Sequence, residues 1–256
     1  MAFTLLQAGA ALQLMDSAGA LSTLTLPTGI TLDATKPPRF AINGRYVVMV
    51  NSPSRPITID PAGIVRPLCP LPPALAPVLS SAAGGSLAGT YLAKMTFLIL
   101  DEFGNIIAES DYGPISNSQA VATAYLRAAS LEVSADAASA RRLYRTTTLG
   151  STYFAWADAD GNIITALQDD LADAALSAVA ASPTLGSPPR LTLVSEWKSR
   201  LWGVGDDLID NLRYTEAGMP YAWNPDNDLL IPRVGSDQFG VRGLAPRRDA
   251  LGVGRR

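Results

Sequence analysis

Phe40-Ala41-Ile42-Asn43-Gly44-Arg45-Tyr46-Val47-Val48-Met49-Val50 is the stretch on which the reading of the fold turns. Apolar and β-branched residues flank Asn-Gly, whose two residues suit the positive-φ positions of a type I′ turn. That pattern predicts an antiparallel hairpin. The same grammar runs outward in both directions. Upstream, Leu21-Ser-Thr-Leu-Thr-Leu26 alternates, Pro27-Thr-Gly29 turns and Ile30-Thr-Leu32 resumes. Downstream, Asn51-Ser-Pro-Ser-Arg-Pro56 turns, and Ile57-Thr-Ile59, Asp60-Pro-Ala-Gly63 and Ile64-Val65 make a further small hairpin. Residues 1–66 therefore read as an N-terminal β segment.

Residues 67–89 change character. Pro67, Pro70, Pro72, Pro73 and Pro77 are followed by Ser80-Ser-Ala-Ala-Gly-Gly-Ser86. Prolines remove backbone donors, so the stretch is expected to be an extended linker. A second such stretch spans 181–190, with Pro183, Pro188 and Pro189. Residues 90–180 between them have the size of a β-sandwich domain, with strand candidates every eight to twelve residues. These include Thr90–Leu100, Ile106–Ser110, Ala120–Leu126, Arg141–Thr148, Thr152–Trp156 and Ile163–Leu167. Asp169–Leu176 is expected to close with a helical turn. Short strands return over 191–256: Leu191–Val194, Arg200–Val204, Leu212–Thr215, Asp228–Val234, Gln238–Leu244 and Leu251–Val253. The two end segments share one grammar and are expected to form one sheet system, with the sandwich inserted. The fold class is all-β. The end of the chain looks like the start of another strand, as in a truncated view of a longer product.

Composition removes many chemistries. The 256 residues are apolar on average, with mean hydropathy +0.16 and 17% charged residues, which is not a disordered composition. Histidine is absent, which eliminates Ser–His and Cys–His nucleophiles and histidine metal sites. The single cysteine, Cys69, excludes an intrachain disulfide and a cysteine-clustered zinc or iron–sulfur site. A net charge of −3 argues against general nucleic-acid affinity. No stretch approaches the length of a membrane span. The apolar start has no basic residue ahead of it and is interrupted by Gln7 and Gln13, so no signal peptide is expected.

The motifs that remain favour structure over chemistry. Asp101-Glu102, Asp169-Asp170 and Asp206-Asp207 are acid pairs, but neighbours on a strand point to opposite faces, so they read as turn residues. Asp158-Ala-Asp-Gly-Asn162 lacks the closing glutamate of a calcium loop and reads as a hairpin turn. Gly84-Gly85 lacks the lysine of a phosphate loop. No catalytic residue, cofactor or metal site is expected. Arginine dominates the cations, with three lysines, Lys36, Lys94 and Lys198, against 17 arginines. Arg141, Arg142 and Arg145 lie on one strand: Arg141 and Arg145 share a face with Leu143, and Arg142 shares the other with Tyr144. An exposed strand face or subunit contact is favoured over a ligand clamp. Trp197, Trp202 and Trp223 read as core or interface residues, the other reading being a sugar-binding shelf. The arginines of 233–256 read as a solvated or subunit-facing tail.

Two stretches carry a resemblance. Arg141-Arg-Leu-Tyr-Arg-Thr-Thr-Thr-Leu-Gly-Ser-Thr-Tyr-Phe154, with Asp158–Asn162 and Asp169-Asp-Leu-Ala-Asp173, resembles a fibronectin-III-like module common in phage virion proteins. Its marks are an R-x-Y-R-T strand and a D-D-x-x-D close. Trp197-Lys-Ser-Arg-Leu-Trp-Gly-Val204 with Leu212-Arg-Tyr-Thr-Glu-Ala-Gly-Met-Pro-Tyr-Ala-Trp223 resembles a blade of phage tail proteins with β-propeller segments, podoviral tail nozzle and hub proteins being the nearest group. Together they cover about a third of the chain. The resemblance implies an antiparallel sandwich inserted between partial propeller-like segments. It also implies a non-enzymatic virion subunit: a tail nozzle, hub or adaptor ring, made in the host cytoplasm and assembled into the tail. Expected partners are further copies in a homo-oligomeric ring, other tail or head–tail connector proteins, and DNA passing through a channel. Expected subunit-contact residues are Arg141, Arg142, Arg145, Trp202, Tyr214 and Trp223. The strands are too few for a closed propeller, so truncation or completion by other subunits is expected. Rival readings are a carbohydrate-binding fibre or head-decoration module, and a glycan-cleaving propeller with two carboxylates across one cleft.

Overall fold

The structure, a computed structural model, describes residues 4–51, 55–136, 138–178, 181–207, 209–231 and 241–254. It divides into two compact units, Pro70–Gly186 and the paired segments Met1–Cys69 with Ser187–Arg256. Among the described residues the chain forms twenty strands and one helical turn, and every strand pairing is antiparallel. The protein is all-β.

The first unit opens with β1 (Thr4–Ala8), β2 (Ala11–Met15) and β3 (Leu21–Leu24), a three-stranded sheet. A four-stranded meander follows: β4 (Arg39–Asn43), β5 (Tyr46–Val50), β6 (Ile57–Ile59) and β7 (Val65–Pro67). Asn43 pairs with Tyr46 across the Asn-Gly turn, and Gly44 takes a φ of +58° there. β5 is aliphatic from Val47 to Val50, and its last three residues are buried on both faces. Val48 and Val50 join one core cluster, and Met49 joins another with Leu12, Ile57 and Ile59. Each such fully buried aliphatic side chain contributes about 1.5–3 kcal/mol.

The second unit holds β8 (Val78–Tyr91), β9 (Ala93–Leu100), β10 (Ile106–Glu109), β11 (Gln119–Ala129), β12 (Ala140–Thr146), β13 (Tyr153–Asp160), β14 (Ala166–Asp169) and the turn α1 (Asp173–Leu176). One sheet has the order β10-β9-β12-β13 and the other β14-β11-β8. Alternate residues of both sheets meet in one cluster: Met95, Phe97 and Leu143 from the first, Leu79, Val121 and Leu126 from the second. This is a sandwich of seven strands.

The chain then returns to the first unit. β15 (Leu191–Trp197), β16 (Arg200–Gly205), β17 (Asn211–Tyr214) and β18 (Asp228–Leu230) form a second four-stranded meander, and β19 (Gly243–Pro246) pairs with β20 (Leu251–Gly254). Leu191, Val194, Leu201 and Trp223 pack against Ala41, Val48, Val50 and Leu68. The two end segments thus close a common core.

The structure corrects the reading of 67–89 as a linker. Pro67 ends β7, the second unit begins at Pro70, and Val78–Tyr91 is the longest strand among the described residues. Small residues here signal close approach, not slack chain. β8 and β11 shift register near Ala124, and a Cβ on Gly85 would lie 2.2 Å from the Tyr125 backbone nitrogen. The 181–190 stretch also begins on the sandwich: Ala181 bridges Phe154, and the Tyr112 hydroxyl donates to the Pro183 carbonyl at 2.6 Å. The expected Asp228–Val234 strand stops at Leu230 and its end, Pro232–Val234, lies outside the described residues. So do Ser52–Ser54 of the 51–56 turn, Leu208, Gln238–Gly240, and Arg233, Arg255 and Arg256 of the basic tail.

Candidate functional site

Strand β12 carries three arginines, and its two-residue period divides them between two faces. Arg141, Leu143 and Arg145 point into the sandwich, and both arginines are fully buried. They plug opposite ends of the core. Arg145 meets charge: its guanidinium binds Asp169 through Nε and Asp173 at 2.9 Å, and also donates to the Thr146 and Leu171 carbonyls. It lies 5.0 Å from the centre of the Tyr91 ring. The second oxygen of Asp173 accepts the Thr148 amide at 2.7 Å. Partial burial opposes ionisation of Asp173, but the Thr148 and Arg145 hydrogen bonds outweigh it and hold the carboxyl below its ordinary value. Arg141 meets only carbonyls, those of Leu131, Glu132 and Gly161 at 3.2–3.4 Å, and its buried Nε has no partner. Burial pushes its guanidinium pKa down.

The outer face of the same sheet is a polar and aromatic cluster. Arg142 forms a two-point ion pair with Asp158, both contacts at 2.7 Å. That pairing pushes the Arg142 pKa up. Glu109 is buried and accepts hydrogen bonds from Thr96 at 2.7 Å and Tyr144 at 2.6 Å on one oxygen. Burial raises its carboxyl pKa despite those donors. Tyr112 packs edge-on against Tyr144 with ring centres 5.2 Å apart. The Lys94 ammonium sits 3.2 Å from the centre of the Tyr112 ring and 4.4 Å from that of Tyr153. Burial lowers the Lys94 pKa to about 8 against the opposing pull of Asp111 and Glu109.

The second motif closes on itself in β16, β17 and the loop that follows. Arg200 donates to the Thr215 carbonyl at 2.6 Å and lies 3.6 Å from Glu216. The Thr215 hydroxyl accepts the Leu201 amide at 3.0 Å. The Glu216 amide donates to the Ala222 carbonyl at 3.0 Å, and its carboxylate accepts from Asn227 at 2.8 Å. Trp223 is 3% exposed at the end of that loop. Beside it runs an aromatic strip: Trp197 and Trp202 centres are 5.7 Å apart, and Trp202 and Tyr214 4.6 Å. Lys198 and Arg200 lie against the Trp197 and Tyr214 rings. A cavity of about 210 Å³ elsewhere in this unit is lined by Lys36, Arg39, Asn51, Thr192 and Arg242, among others.

The structure therefore corrects the expected contact set. Arg141, Arg145 and Trp223 are buried inside the chain, because each fills its own core and, for Arg145, the carboxylates it needs are in the same unit. Arg142, Trp202 and Tyr214 keep part of their surface. The acid pairs split as strand geometry requires: Asp169 faces Arg145, whereas Asp170 accepts the Ser86 amide at 2.6 Å. Asp101 accepts the Phe103 and Asn105 amides in its turn, and Asp207 pairs with Arg213. Asp158 and Asp160 belong to β13, and Asn162 bonds both backbone groups of Ser134. Among the described residues no cluster of acids and cysteine has the arrangement to hold a metal ion, and no helix is long and apolar enough to cross a membrane. Sequence reasoning missed the Lys94–Glu109–Tyr112 cluster, whose members are joined only by sheet register. No family model, no curated protein and no solved structure matches the chain.

Proposed function

We propose that the chain is a structural subunit of a phage virion, placed in the tail as part of a nozzle, hub or adaptor ring around the DNA exit path. The reading rests on the two sequence resemblances, and one observation supports it above others. In both motifs the characteristic residues bind one another. The R-x-Y-R-T arginine, Arg145, is enclosed by the first and last acids of D-D-x-x-D, Asp169 and Asp173. The arginine of Arg200-Leu-Trp is tied to Thr215 and Glu216 of the following stretch. Residues spent this way hold modules in shape, which is the requirement on a subunit of a load-bearing assembly. Contact with neighbouring subunits falls to the partly exposed Arg142, Trp202 and Tyr214, residue types favoured at such interfaces.

The deciding measurement is the mass and symmetry of the protein in its native particle, by native mass spectrometry and cryo-EM class averages. A ring within a phage tail is the expected result. A monomer of 26.9 kDa outside any particle overturns the reading. The aromatic strip favours a second reading, a carbohydrate-binding virion module. Glycan-array binding abolished by Trp202→Ala supports that alternative. Trp223 is no probe of it, being buried.

A further inference from the structure

We propose that the cavity of about 210 Å³ in the first unit binds a small organic phosphate, a phosphomonoester with a compact apolar body. This is a ligand role separate from assembly. The lining comes from both end segments of the chain. Lys36 and Arg39 lead into β4, Val50 ends β5, Leu193 belongs to β15, and Val241 and Arg242 precede β19. All of them lie in one compact unit.

The charge of the lining is one-sided. Lys36, Arg39 and Arg242 bring three cations, and among the described residues no carboxylate lines the cavity. The chain as a whole carries a net charge of −3, so the imbalance is local. Elsewhere arginines are matched: Arg66 pairs with Asp60, Arg142 with Asp158 and Arg213 with Asp207. Arg39 differs, since among the described residues its guanidinium has no hydrogen-bond or ion-pair partner. Lys36 holds Asp33 loosely, at 3.5 Å and half exposed, while the other oxygen of Asp33 serves the Thr35 amide and hydroxyl. An exposed pair of that kind yields to a better-placed anion. Arg242, engaged elsewhere as well, completes the rim.

The backbone around the cavity is fixed before any ligand arrives. Asn51 is 7% exposed and ties down the loop that presents Lys36. Its amide donates to the Lys36 carbonyl at 2.7 Å, and its own carbonyl accepts the Asp33 amide. Pro37 and Pro38 fix the φ angles that follow, and Arg39 is then registered opposite Val50. On β15 the register slips at Thr192, since Leu191 faces Gly205 and Leu193 faces Val204. The Thr192 hydroxyl anchors that bulge by donating to the Val204 carbonyl at 3.1 Å. Only side chains remain to be ordered on binding, which keeps its entropic cost low.

Size and lining set the ligand class. A volume of about 210 Å³ is the space of about seven waters, less than a drug-sized ligand fills. Val50, Leu193 and Val241 give part of the lining an apolar character that a bare ion leaves uncovered. A phosphomonoester carries about −1.5 to −2 charge at neutral pH on three acceptor oxygens, against one charge and two oxygens for a carboxylate. Three converging cations, two of them arginines, favour the phosphate.

The test titrates the full chain with phenyl phosphate at neutral pH, by calorimetry and by methyl NMR of Val50, Leu193 and Val241. Saturable binding with a Kd of about 1 mM or tighter is expected, with all three methyl sets following the same curve. Inorganic phosphate lacks the apolar body and benzoate lacks the second charge, so each is expected to bind about tenfold more weakly. Arg39→Ala is expected to weaken phenyl phosphate about tenfold or more. Arg45→Ala removes the same charge from another exposed position, at the turn end of the β4–β5 hairpin, and is expected to leave binding unchanged. Absence of saturation at about 10 mM, shifts that spare the three residues, or equal losses in the two variants overturn the proposal. Benzoate bound as tightly as phenyl phosphate overturns the phosphate class.

Discussion

Arg141 and Arg145 stand four residues apart on one face of one strand, both with no exposed surface, and they are held in opposite ways. Arg145 is wrapped by two carboxylates and two carbonyls. Arg141 has three carbonyls and an unpaired Nε. Arg142, on the other face between them, keeps a half-buried pair with Asp158. One strand thus holds the same side chain as a charge-matched plug, a dipole-matched plug and a surface pair. Burial alone does not set what a charge contributes; what is left behind when it is removed does.

Arg145→Met offers the largest break in that comparison. It strands Asp169 in the sandwich, and a loss of about 3–5 kcal/mol is expected in denaturant unfolding. A shift under about 1 kcal/mol would mean that Asp169 finds water or a proton without cost. Arg141→Met strands no charge, only the carbonyls of Leu131, Glu132 and Gly161, so about 1–3 kcal/mol is expected. If the two variants unfold alike, the carboxylates add nothing and the contrast fails. Asp173→Asn sharpens it through pH. The folded Asp173 carboxyl lies below its ordinary 3.8, so its contribution is present above that value and lost as pH falls through the folded value. The gap between parent and variant, about 1 kcal/mol at neutral pH, is expected to close in acid. A gap that persists once the folded carboxyl is fully protonated assigns the effect to the side chain's shape. Arg142→Ala comes last, at about 0.2–1 kcal/mol, and its effect should shrink in 1 M salt while that of Arg145→Met does not.

The sequence made much of this visible, and the gaps have physical causes. Alternation over Arg141–Thr146 gave the correct division of arginines between faces. It did not reveal that the two-arginine face turns inward. That depends on Asp169 and Asp173, which chain distance alone does not bring to β12. The Asn43-Gly44 hairpin was legible because its determinants are adjacent. Ser80–Ser86 reads as part of an extended linker because small residues mean either freedom or close contact, and only the partner strand β11 distinguishes the two. The Lys94 cage was illegible for the same reason, since its rings come from positions 112, 144 and 153.

The split of the first unit across the chain has a kinetic consequence. The sandwich is contiguous, so every strand it needs has been synthesised by residue 186. Ala41, Val48 and Val50 must instead wait for Leu191, Val194, Leu201 and Trp223, about 150 residues later. At ordinary elongation rates that delay is on the order of ten seconds or more, during which the β5 valines emerge without their final partners. If the contiguous sandwich folds first, it shortens the gap between the two halves from a long flexible loop to the distance between its own two ends. Unfolding the sandwich should therefore slow the refolding of the other unit.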